Sequence, residues 1–333
     1  MINWQINPIK LALKYTWKIS RNSSTHKTNF IVQCAQNNWK GIGEVAPNIR
    51  YNETPEIIAQ EFDRFLQAGG NKVHDLGELT ELLDSLKLKN ALRFGIESAY
   101  IHMLCYADKT PIHDFLAIPA AKDIATSYTL PIMEIEEVEP FYRNNNLERF
   151  SVIKLKTNAD NGPELIKYIS TFCKQPLIID GNEAYQNAEE LTTFLHAIKT
   201  YNIVLIEQPM PAVCVDDYKA VKKLKLFPLM ADESVCDDAD FDSIAQQFDY
   251  VNMKLMKAGG YLNGHRIITE AQKHGLKTMV GCMVETSLGI SSAFNLCSLT
   301  DYADLDGYLI VKDEPFGLLH EENGKINLSS AFK

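Results

Sequence analysis

The chain has 333 residues, of which 46% are hydrophobic and 23% charged, a composition typical of a folded globular protein. Its 33 lysines and arginines are outnumbered by 43 aspartates and glutamates, for a net charge of −10, and no basic block suggests a nucleic acid partner. Apolar runs are short and interrupted by charges, so we expect no transmembrane helix and no membrane partner. Seven scattered cysteines without a CxxC pair, and an N-terminus without a signal-peptide core, favour a reduced, cytoplasmic protein.

The first part of the chain changes from strand-like to helical patterning. Valine, isoleucine, threonine and aromatic residues recur in Leu11–Ile19, Phe30–Gln36 and Trp39–Val45, which predicts three strands. The polar segment from Ser20 to Thr28 is predicted to be a loop between the first two. Farther on, apolar residues recur three to four positions apart, which predicts helices. The chain is longer than one ordinary domain requires, so we expect more than one. Because strands are followed by helices here, we assign residues 1–120 to an α+β domain.

After residue 126, short apolar runs alternate with helical stretches at regular spacing. The runs, which we predict to be strands, are Ser127–Ile132, Ser151–Leu155, Leu177–Ile179, Ile203–Ile206, Pro228–Ala231, Tyr250–Met253 and Lys277–Val280. Repeated strand–helix units predict a parallel sheet that is buried on both faces. They fit a TIM-type barrel better than an open sheet, whose glycine-rich nucleotide loop is missing. The fold class is therefore predicted to be α/β, with a barrel over residues 121–315 and a C-terminal segment, 316–333, returning to the N-terminal domain.

Charged residues follow the predicted strands at the end where a barrel carries its catalytic groups. Asp180, Glu207 and Asp232 follow three adjacent strands, so their carboxylates should converge. Three converging anions repel each other unless a cation lies between them. A set of oxygen ligands without histidine or cysteine favours Mg²⁺ over Zn²⁺. We therefore predict that these three residues hold one Mg²⁺ per subunit.

Lysines follow two other strands. Lys154 and Lys156 end the second predicted strand, and Lys254 ends the sixth. These strands are four apart in an eight-stranded ring, so Lys156 and Lys254 should face each other across the barrel mouth. Lys154 shares the face of Lys156 because side chains repeat every two residues along a strand. Two opposed bases can remove a proton from one face of a carbon and return it to the other, which is a 1,1-proton transfer.

Together these residues resemble the enolase superfamily, and in particular its muconate-lactonizing subgroup. The resemblance covers nearly the whole chain, and its motifs are Lys154-x-Lys156, Asp180-x-Asn182, Glu207-Gln-Pro, Asp232-Glu-Ser and Lys254-Leu-Met-Lys-Ala-Gly-Gly260. It implies a modified TIM barrel, (β/α)7β, with an α+β capping domain, and Asn182 and Glu233 as supporting residues. It also implies that Mg²⁺ binds a substrate carboxylate and stabilises the enolate formed when a lysine takes the α-proton. Lys257, on the turn after the sixth strand, is not expected to be a base.

The end of the last predicted strand distinguishes members of the subgroup. Asp304-x-Asp306 resembles the acidic pair by which dipeptide epimerases hold the α-ammonium group of their substrate. Cycloisomerases and o-succinylbenzoate synthases bind no such group. The resemblance implies further substrate-binding residues, which are Thr129, Lys154, Cys282, Met283 and Val284. It thus implies an isomerase, a Mg²⁺-dependent dipeptide epimerase that inverts the α-carbon of the C-terminal residue of an Ala-containing dipeptide, with peptidoglycan turnover as the expected source.

The side chain of the dipeptide is left open by the sequence. In this family two loops of the capping domain close the site, here Ser20–Thr28 and Pro47–Asn52. A dipeptide ending in glutamate needs a cation there, and the candidates are Arg21, His26, Lys27 and Arg50, with Tyr51 beside them. Ala-Glu, Ala-Ala and Ala-hydrophobic dipeptides all stay open. The alternatives are an o-succinylbenzoate synthase, a muconate-type cycloisomerase or a non-catalytic binding protein on the same scaffold, and a homo-oligomer is compatible with each.

Overall fold

The N-terminal part of the chain is built around an antiparallel sheet. The computed structural model describes residues 1–19, 22–159 and 162–329. The three strands of the sheet are β1 (Asn3–Ile19), β2 (Asn22–Gln36) and β3 (Trp39–Val45), in the order β1-β2-β3. The predicted loop from Ser20 to Thr28 is wrong from residue 22 onward, because Lys27 pairs with Leu11 and His26 with Ala12 in the β1–β2 ladder.

Helices cover one face of this sheet. They are α1 (Pro55–Gln67), α2 (Leu76–Leu86), α3 (Asn90–Asp108) and α4 (Ile112–Phe115), and a two-residue strand, β4 (Ile124–Ala125), follows. Helix α1 begins after Thr54, whose side chain accepts a hydrogen bond from the Ile57 amide at 3.3 Å, the usual arrangement at a helix start. Helix α3 packs directly on the sheet, where the Cys34 thiol of β2 donates to the Ala99 carbonyl at 3.2 Å.

Eight parallel strands form the second and larger part of the fold. They are β5 (Tyr128–Leu130), β6 (Ile153–Lys156), β7 (Leu177–Asp180), β8 (Ile203–Glu207), β9 (Leu229–Ala231), β10 (Tyr250–Lys254), β11 (Lys277–Gly281) and β12 (Tyr302–Asp304). Their order in the sheet follows the chain. The Ser127 amide before β5 donates to the Ala303 carbonyl of β12 at 3.0 Å, which brings the first and last strands together. The predicted α/β barrel is confirmed.

Helices surround the barrel between successive strands. They are α5 (Ile135–Asn144), α6 (Gly162–Ile169), α7 (Ala188–Ile198), α8 (Val215–Lys223), α9 (Phe241–Gln247), α10 (Leu255–Ala258), α11 (Tyr261–Lys273) and α12 (Ser287–Phe294). None of the helices within the described ranges is long and apolar enough to cross a membrane.

The C-terminal segment contacts both parts of the molecule. Strands β13 (Leu319–Glu322) and β14 (Lys325–Leu328) form a hairpin, and Ile326 of β14 pairs with Ile124 of β4. Just before the hairpin, Leu318 lies in an apolar cluster with Ile31 of the N-terminal sheet and Leu288 of α12. We keep the division into residues 1–120, 121–315 and 316–333 as a proposal.

Two buried glutamates connect the N-terminal part to helices of the barrel. Glu44 of β3 accepts hydrogen bonds from the Thr286 amide at 3.0 Å and the Gly289 amide at 2.9 Å, at the start of α12. Glu97 of α3 accepts from the Leu262 amide at 3.1 Å, at the start of α11. A helix N-terminus carries unpaired N–H groups and a partial positive charge, both of which a carboxylate satisfies. The two parts therefore have a defined orientation to each other.

Gly260, the last residue of the Lys254–Gly260 motif, stands at a position that only glycine fits. Its φ of +150° lies outside the range of ordinary side chains, and an added Cβ would lie 2.2 Å from Glu97 Oε1. The glycine therefore leaves the space that the Glu97 carboxylate needs to reach α11.

Candidate active site

The predicted metal ligands lie together at the C-terminal end of the barrel. Asp180 and Glu207 are the last residues of β7 and β8 and pair with each other in register, and Lys156 of β6 pairs with Asp180. Asp232 directly follows β9. All three carboxylates are at most 3% exposed. They converge because the inward-facing positions of neighbouring parallel strands meet at one level of a barrel.

Lys154 lies at the centre of the cluster. Its Nζ is 3.1 Å from Asp180 Oδ2, 2.8 Å from Glu207 Oε2 and 2.9 Å from Asp304 Oδ2. Burial by itself would lower the pKa of Lys154, but these carboxylates raise it well above its ordinary value. Lys154 is therefore held as a cation.

The two predicted bases flank the carboxylates. Lys156 Nζ donates to Asp180 Oδ2 and to Asn182 Oδ1, both at 2.8 Å. Lys254 Nζ donates to Asp232 Oδ2 at 2.8 Å. Their strands, β6 and β10, are four positions apart in the sheet order. The structure thus separates the two amines and sets the carboxylates between them.

Burial and charge act in opposite directions on the three carboxylates. Burial would raise the pKa of Asp180, but Lys154 and Lys156 outweigh it and hold the pKa below its usual range. Lys254 and Lys257 do the same for the pKa of Asp232. Glu207 is compensated less, and burial raises its pKa to about 7. A buried carboxylate that is not fully compensated favours the approach of a cation.

The buried charges at these strand ends do not balance. The buried carboxylates are Asp180, Glu207, Asp232, Glu233, Asp304 and Asp306, and the buried ammonium groups are Lys154, Lys156, Lys254 and Lys257. Fully ionised, they leave an excess of two negative charges. A cluster with this excess, made of oxygen donors alone, fits Mg²⁺. The charge and the donor type are therefore compatible with the predicted metal, whereas no three acidic, histidine or cysteine side chains of the described residues are already arranged to hold one.

Asp304 and Asp306 lie at the end of β12, next to β5. Asp304 Oδ1 accepts from Ser127 Oγ at 2.6 Å, and Asp306 Oδ2 accepts from the Thr129 amide at 2.6 Å. Burial, together with the charge of Asp304, raises the pKa of Asp306 to about 7. Two buried carboxylates side by side favour the approach of a cation, such as an ammonium group.

A cavity of about 590 Å³ opens above the cluster between the barrel and the N-terminal part. The predicted residues that line it are Arg50, Tyr51, Thr129, Lys154, Lys156, Asn182, Asp232, Glu233, Lys254, Cys282, Met283, Val284, Asp304 and Asp306. His26 and Lys27 of β2 line it as well. The structure therefore brings nearly all predicted site residues to one cavity, with Asp180 and Glu207 buried beneath it.

Arg50 and Arg21 were both predicted as candidate cations for the side chain of the dipeptide. Arg50 donates to both carboxylate oxygens of Glu183, at 2.9 and 2.8 Å, so its charge is paired across the mouth of the cavity. Arg21 lies outside the described residues. Tyr51 lines the cavity, and burial, together with the charges of Asp232 and Glu233, raises the pKa of its hydroxyl.

Three residues of the site were not assigned from the sequence. Glu183 pairs with Arg50, Asn252 Nδ2 donates to Glu207 Oε1 at 2.9 Å, and Lys257 Nζ donates to Asp232 Oδ1 at 2.6 Å. Lys257 could have been suspected, because it is the one charged residue in the run Leu255–Ala258. The partner of Arg50 is 133 residues away, and no local pattern indicates it.

Comparison with known proteins identifies the family. The model described as enolase C-terminal domain-like matches residues 140–323, more than half of the chain, and the protein belongs to this family. An L-Ala-D/L-Glu epimerase from Bacteroides thetaiotaomicron is 28% identical over 97% of this chain and 84% of its own. An L-Ala-D/L-amino acid epimerase from Pedosphaera parvula is 29% identical over 97% of this chain and 95% of its own.

Solved structures agree with this relationship. A dipeptide epimerase from Methylococcus capsulatus, complexed with Mg and the dipeptide L-Arg-D-Lys, is 26% identical, with a TM-score of 0.87 over 98% of this chain and 96% of its own. An enolase family member from Agrobacterium tumefaciens, with bound sodium and L-Ala-L-Glu, is 25% identical, with a TM-score of 0.87 over 99% of this chain and 98% of its own. The predicted superfamily is confirmed, and so is the prediction of an enzyme of the isomerase class.

Proposed function

We propose that this protein is a Mg²⁺-dependent dipeptide epimerase that inverts the α-carbon of the C-terminal residue of an Ala-containing dipeptide. The observation that carries the proposal is the placement of Lys156 and Lys254. They line one cavity from strands four positions apart, with the carboxylate cluster between them. The printed names of the relatives, which include L-Ala-D/L-Glu and L-Ala-D/L-amino acid epimerases, support the substrate class.

In the proposed reaction the two lysines act on opposite faces of the α-carbon. Asp180, Glu207 and Asp232 would hold the Mg²⁺, which when bound supplies stabilisation for the negative charge that develops as the α-proton leaves. One lysine takes the α-proton on its Nζ, and the electron pair of the C–H bond moves toward the substrate carboxylate. The other lysine then delivers a proton to the opposite face. Lys154, held as a cation, contributes positive charge beside the carboxylates.

The acidic pair would orient the substrate. A free α-ammonium group loses its hydration on entering the cavity, and Asp304 and Asp306 can replace it with charge-assisted hydrogen bonds. This contact places the C-terminal residue of the dipeptide toward the lysines. A cycloisomerase or an o-succinylbenzoate synthase has no ammonium group to bind, so the pair favours the epimerase over these alternatives.

The identity of the dipeptide stays a proposal at the level of a class. Relatives are named for L-Ala-D/L-Glu, for L-Ala with other amino acids, and for hydrophobic dipeptides, and all three remain candidates. Dipeptides released from peptidoglycan are the proposed source. The seven cysteines, all free in the structure, support the proposal of a reducing, cytoplasmic location.

The test is proton exchange with solvent. The purified protein is incubated in D₂O with a library of L,L- and L,D-dipeptides, and deuterium uptake is followed by mass spectrometry. We expect uptake and epimerisation with Ala-containing dipeptides, loss of both in EDTA, and recovery with Mg²⁺. N-acetylated dipeptides, which lack the ammonium group, serve as the control and should react poorly. Exchange with no dipeptide would contradict the proposal and favour a lyase or a binding protein.

A further inference from the structure

Each of the three proposed Mg²⁺ ligands has one oxygen that accepts a hydrogen bond from a group other than Lys154, Lys156 or Lys254. Asp180 Oδ1 accepts from the Asn182 amide at 3.0 Å. Glu207 Oε1 accepts from Asn252 Nδ2 at 2.9 Å, and Asp232 Oδ1 accepts from Lys257 Nζ at 2.6 Å. We call these three the rear oxygens.

The second oxygen of each ligand faces the lysines of the cavity. Asp180 Oδ2 and Glu207 Oε2 contact Lys154 Nζ at 3.1 and 2.8 Å, and Asp232 Oδ2 contacts Lys254 Nζ at 2.8 Å. These three front oxygens are thus turned toward cations. The division into rear and front oxygens repeats on three successive strands, which indicates that the rear donors set the direction in which each carboxylate faces.

Lys257 has contacts that are structural rather than catalytic. It is 2% exposed and does not line the cavity. Its Nζ donates to Asp232 Oδ1, to the Asp232 carbonyl and, at 3.1 Å, to the Asn252 carbonyl. An ammonium group has three protons, and each of these has an acceptor. Lys257 therefore holds Asp232 in place and has no proton donor left for a substrate.

Asn252 joins two of the rear contacts. It is fully buried and precedes Lys254 by two residues on β10, so both side chains face the interior of the barrel. Its side-chain amide donates to Glu207, and its backbone carbonyl accepts a hydrogen bond from Lys257. Lys254 pairs with Gly281 of the neighbouring strand β11. A Cβ added at Gly281 would lie 2.3 Å from Asn252 Oδ1. The absence of a side chain at 281 gives Asn252 the space that this contact needs.

We propose that Lys257 and Asn252 are positioning residues that hold the rear oxygens of Asp232 and Glu207, so that the front oxygens are oriented for Mg²⁺ before the ion binds. The inference rests on the proposed Mg²⁺ site. Groups that hold metal ligands from behind typically contribute about 10- to 100-fold in metal affinity or activity. A purely electrostatic role for Lys257 has the opposite sign, because removing a cation beside the site would strengthen the binding of Mg²⁺.

The experiment measures Mg²⁺ binding directly, by isothermal titration calorimetry on protein freed of metal with EDTA. Lys257→Met keeps the length of the side chain without its charge, and Asn252→Ala removes the amide. We expect each variant to bind Mg²⁺ about 10- to 100-fold more weakly than the parent protein. Lys257→Arg, which keeps a charged donor, should recover part of the affinity.

Matched controls lie on the outer side of the barrel. Lys222 of α8 also donates to two carbonyls, those of Ala245 and Phe248, and contacts Asp249 at 3.3 Å. Asn295 is buried, and its amide donates to the Ser291 carbonyl at 2.8 Å. Lys222→Met and Asn295→Ala therefore remove the same groups at a site without metal ligands, and Mg²⁺ affinity should be unchanged in both.

The outcomes separate the two proposals. If the parent protein binds no Mg²⁺, the proposed function fails. If the parent binds Mg²⁺ and folded Lys257→Met and Asn252→Ala variants bind it equally well or more tightly, the positioning role is overturned. Circular dichroism establishes which variants are folded. Should Lys257→Met not fold, Asn252→Ala and Lys257→Arg carry the test. Asn252→Ala leaves the ammonium group of Lys257 beside Asp232, and Lys257→Arg keeps a charged donor there.

Discussion

The two ends of the barrel interior are built from the same strands and differ completely in chemistry. On β7, Ile178 and Asp180 both face inward, and on β8 Leu205 and Glu207 do the same, because they are two residues apart. The first residue of each pair belongs to an apolar cluster whose buried members are Ile178, Leu205, Met230, Tyr250 and Met279. The second belongs to the charged cluster. Two inward-facing residues that are neighbours on one strand therefore have different roles: the first packs in the apolar core, and the second carries a charge of the site.

The comparison shows how the fold tolerates so much buried charge. The apolar end needs no partner beyond close packing, whereas at the charged end each ammonium group is within 3.1 Å of a carboxylate oxygen. Removing one member of a buried ion pair typically costs about 3–5 kcal/mol. Substitutions at the charged end should thus impair activity, whereas substitutions at the apolar end should impair stability.

The largest expected effect is at the two lysines of the charged end. Lys156→Ala and Lys254→Ala should each abolish net epimerisation, because one face of the α-carbon loses its base. One base remains in each variant, so each should still exchange the α-proton of one stereoisomer with D₂O. The two variants should exchange opposite stereoisomers, as measured by mass spectrometry. Exchange of the same isomer by both would show that the lysines do not act on opposite faces.

The next effect is at Glu207. Glu207→Gln keeps the shape of the side chain and removes one negative charge from the proposed Mg²⁺ site. Turnover should fall by about a thousandfold or more, since several kcal/mol of charge stabilisation depend on the metal. Circular dichroism should show an unchanged fold. A folded variant with the activity of the parent protein would refute the assignment of Glu207 as a ligand.

A smaller effect is expected at the acidic pair. Asp306→Asn leaves one carboxylate at the proposed ammonium site, and losing one partner of such a contact typically costs about 2–5 kcal/mol. The value of kcat/KM for dipeptides should fall by about thirtyfold or more. Calorimetric Mg²⁺ binding should be unchanged, because Asp306 contacts none of the three proposed ligands. If an N-acetylated dipeptide reacted as well as the free one, the pair would not be an ammonium site.

The smallest effect on activity is expected two residues from Glu207, at the apolar end. Leu205→Ala should lower the free energy of unfolding by about 2–5 kcal/mol, since it leaves a cavity among tightly packed side chains. The activity of each folded molecule should stay that of the parent. Urea unfolding measures the free energy of unfolding. The turnover rate divided by the number of sites that bind Mg²⁺ measures the activity of each folded molecule. A large loss of kcat in the folded variant would mean that the two ends are coupled.

Much of the barrel and its cluster could be predicted because the local pattern is strong there. Strands buried on both faces are continuous apolar runs, so a charged residue at the end of such a run stands out. The run predicted at Ile203–Ile206 became β8, Ile203–Glu207, with its charged residue at the predicted end. Regular strand–helix alternation then determined which charges meet.

Other features depend on contacts that no local pattern contains. The sequence predicts a loop at residues 22–28 because alternate positions there are not apolar. In the structure these residues pair with residues 10–19, the C-terminal half of β1. The pairing of Arg50 with Glu183 joins two surface loops that are far apart in sequence. Lys257 is close to the site in sequence, but only the short helix α10 turns its ammonium group back toward Asp232.

The glutamates at the starts of α11 and α12 have a consequence for protein engineering. The N-terminal part supplies much of the cavity wall, so exchanging it for that of a relative should change the substrate preference. A donor domain that lacks counterparts of Glu44 and Glu97 would leave the first turns of two barrel helices buried without acceptors. Chimeras should therefore carry both glutamates with the grafted domain, and retain Gly260 in the recipient barrel to receive one of them.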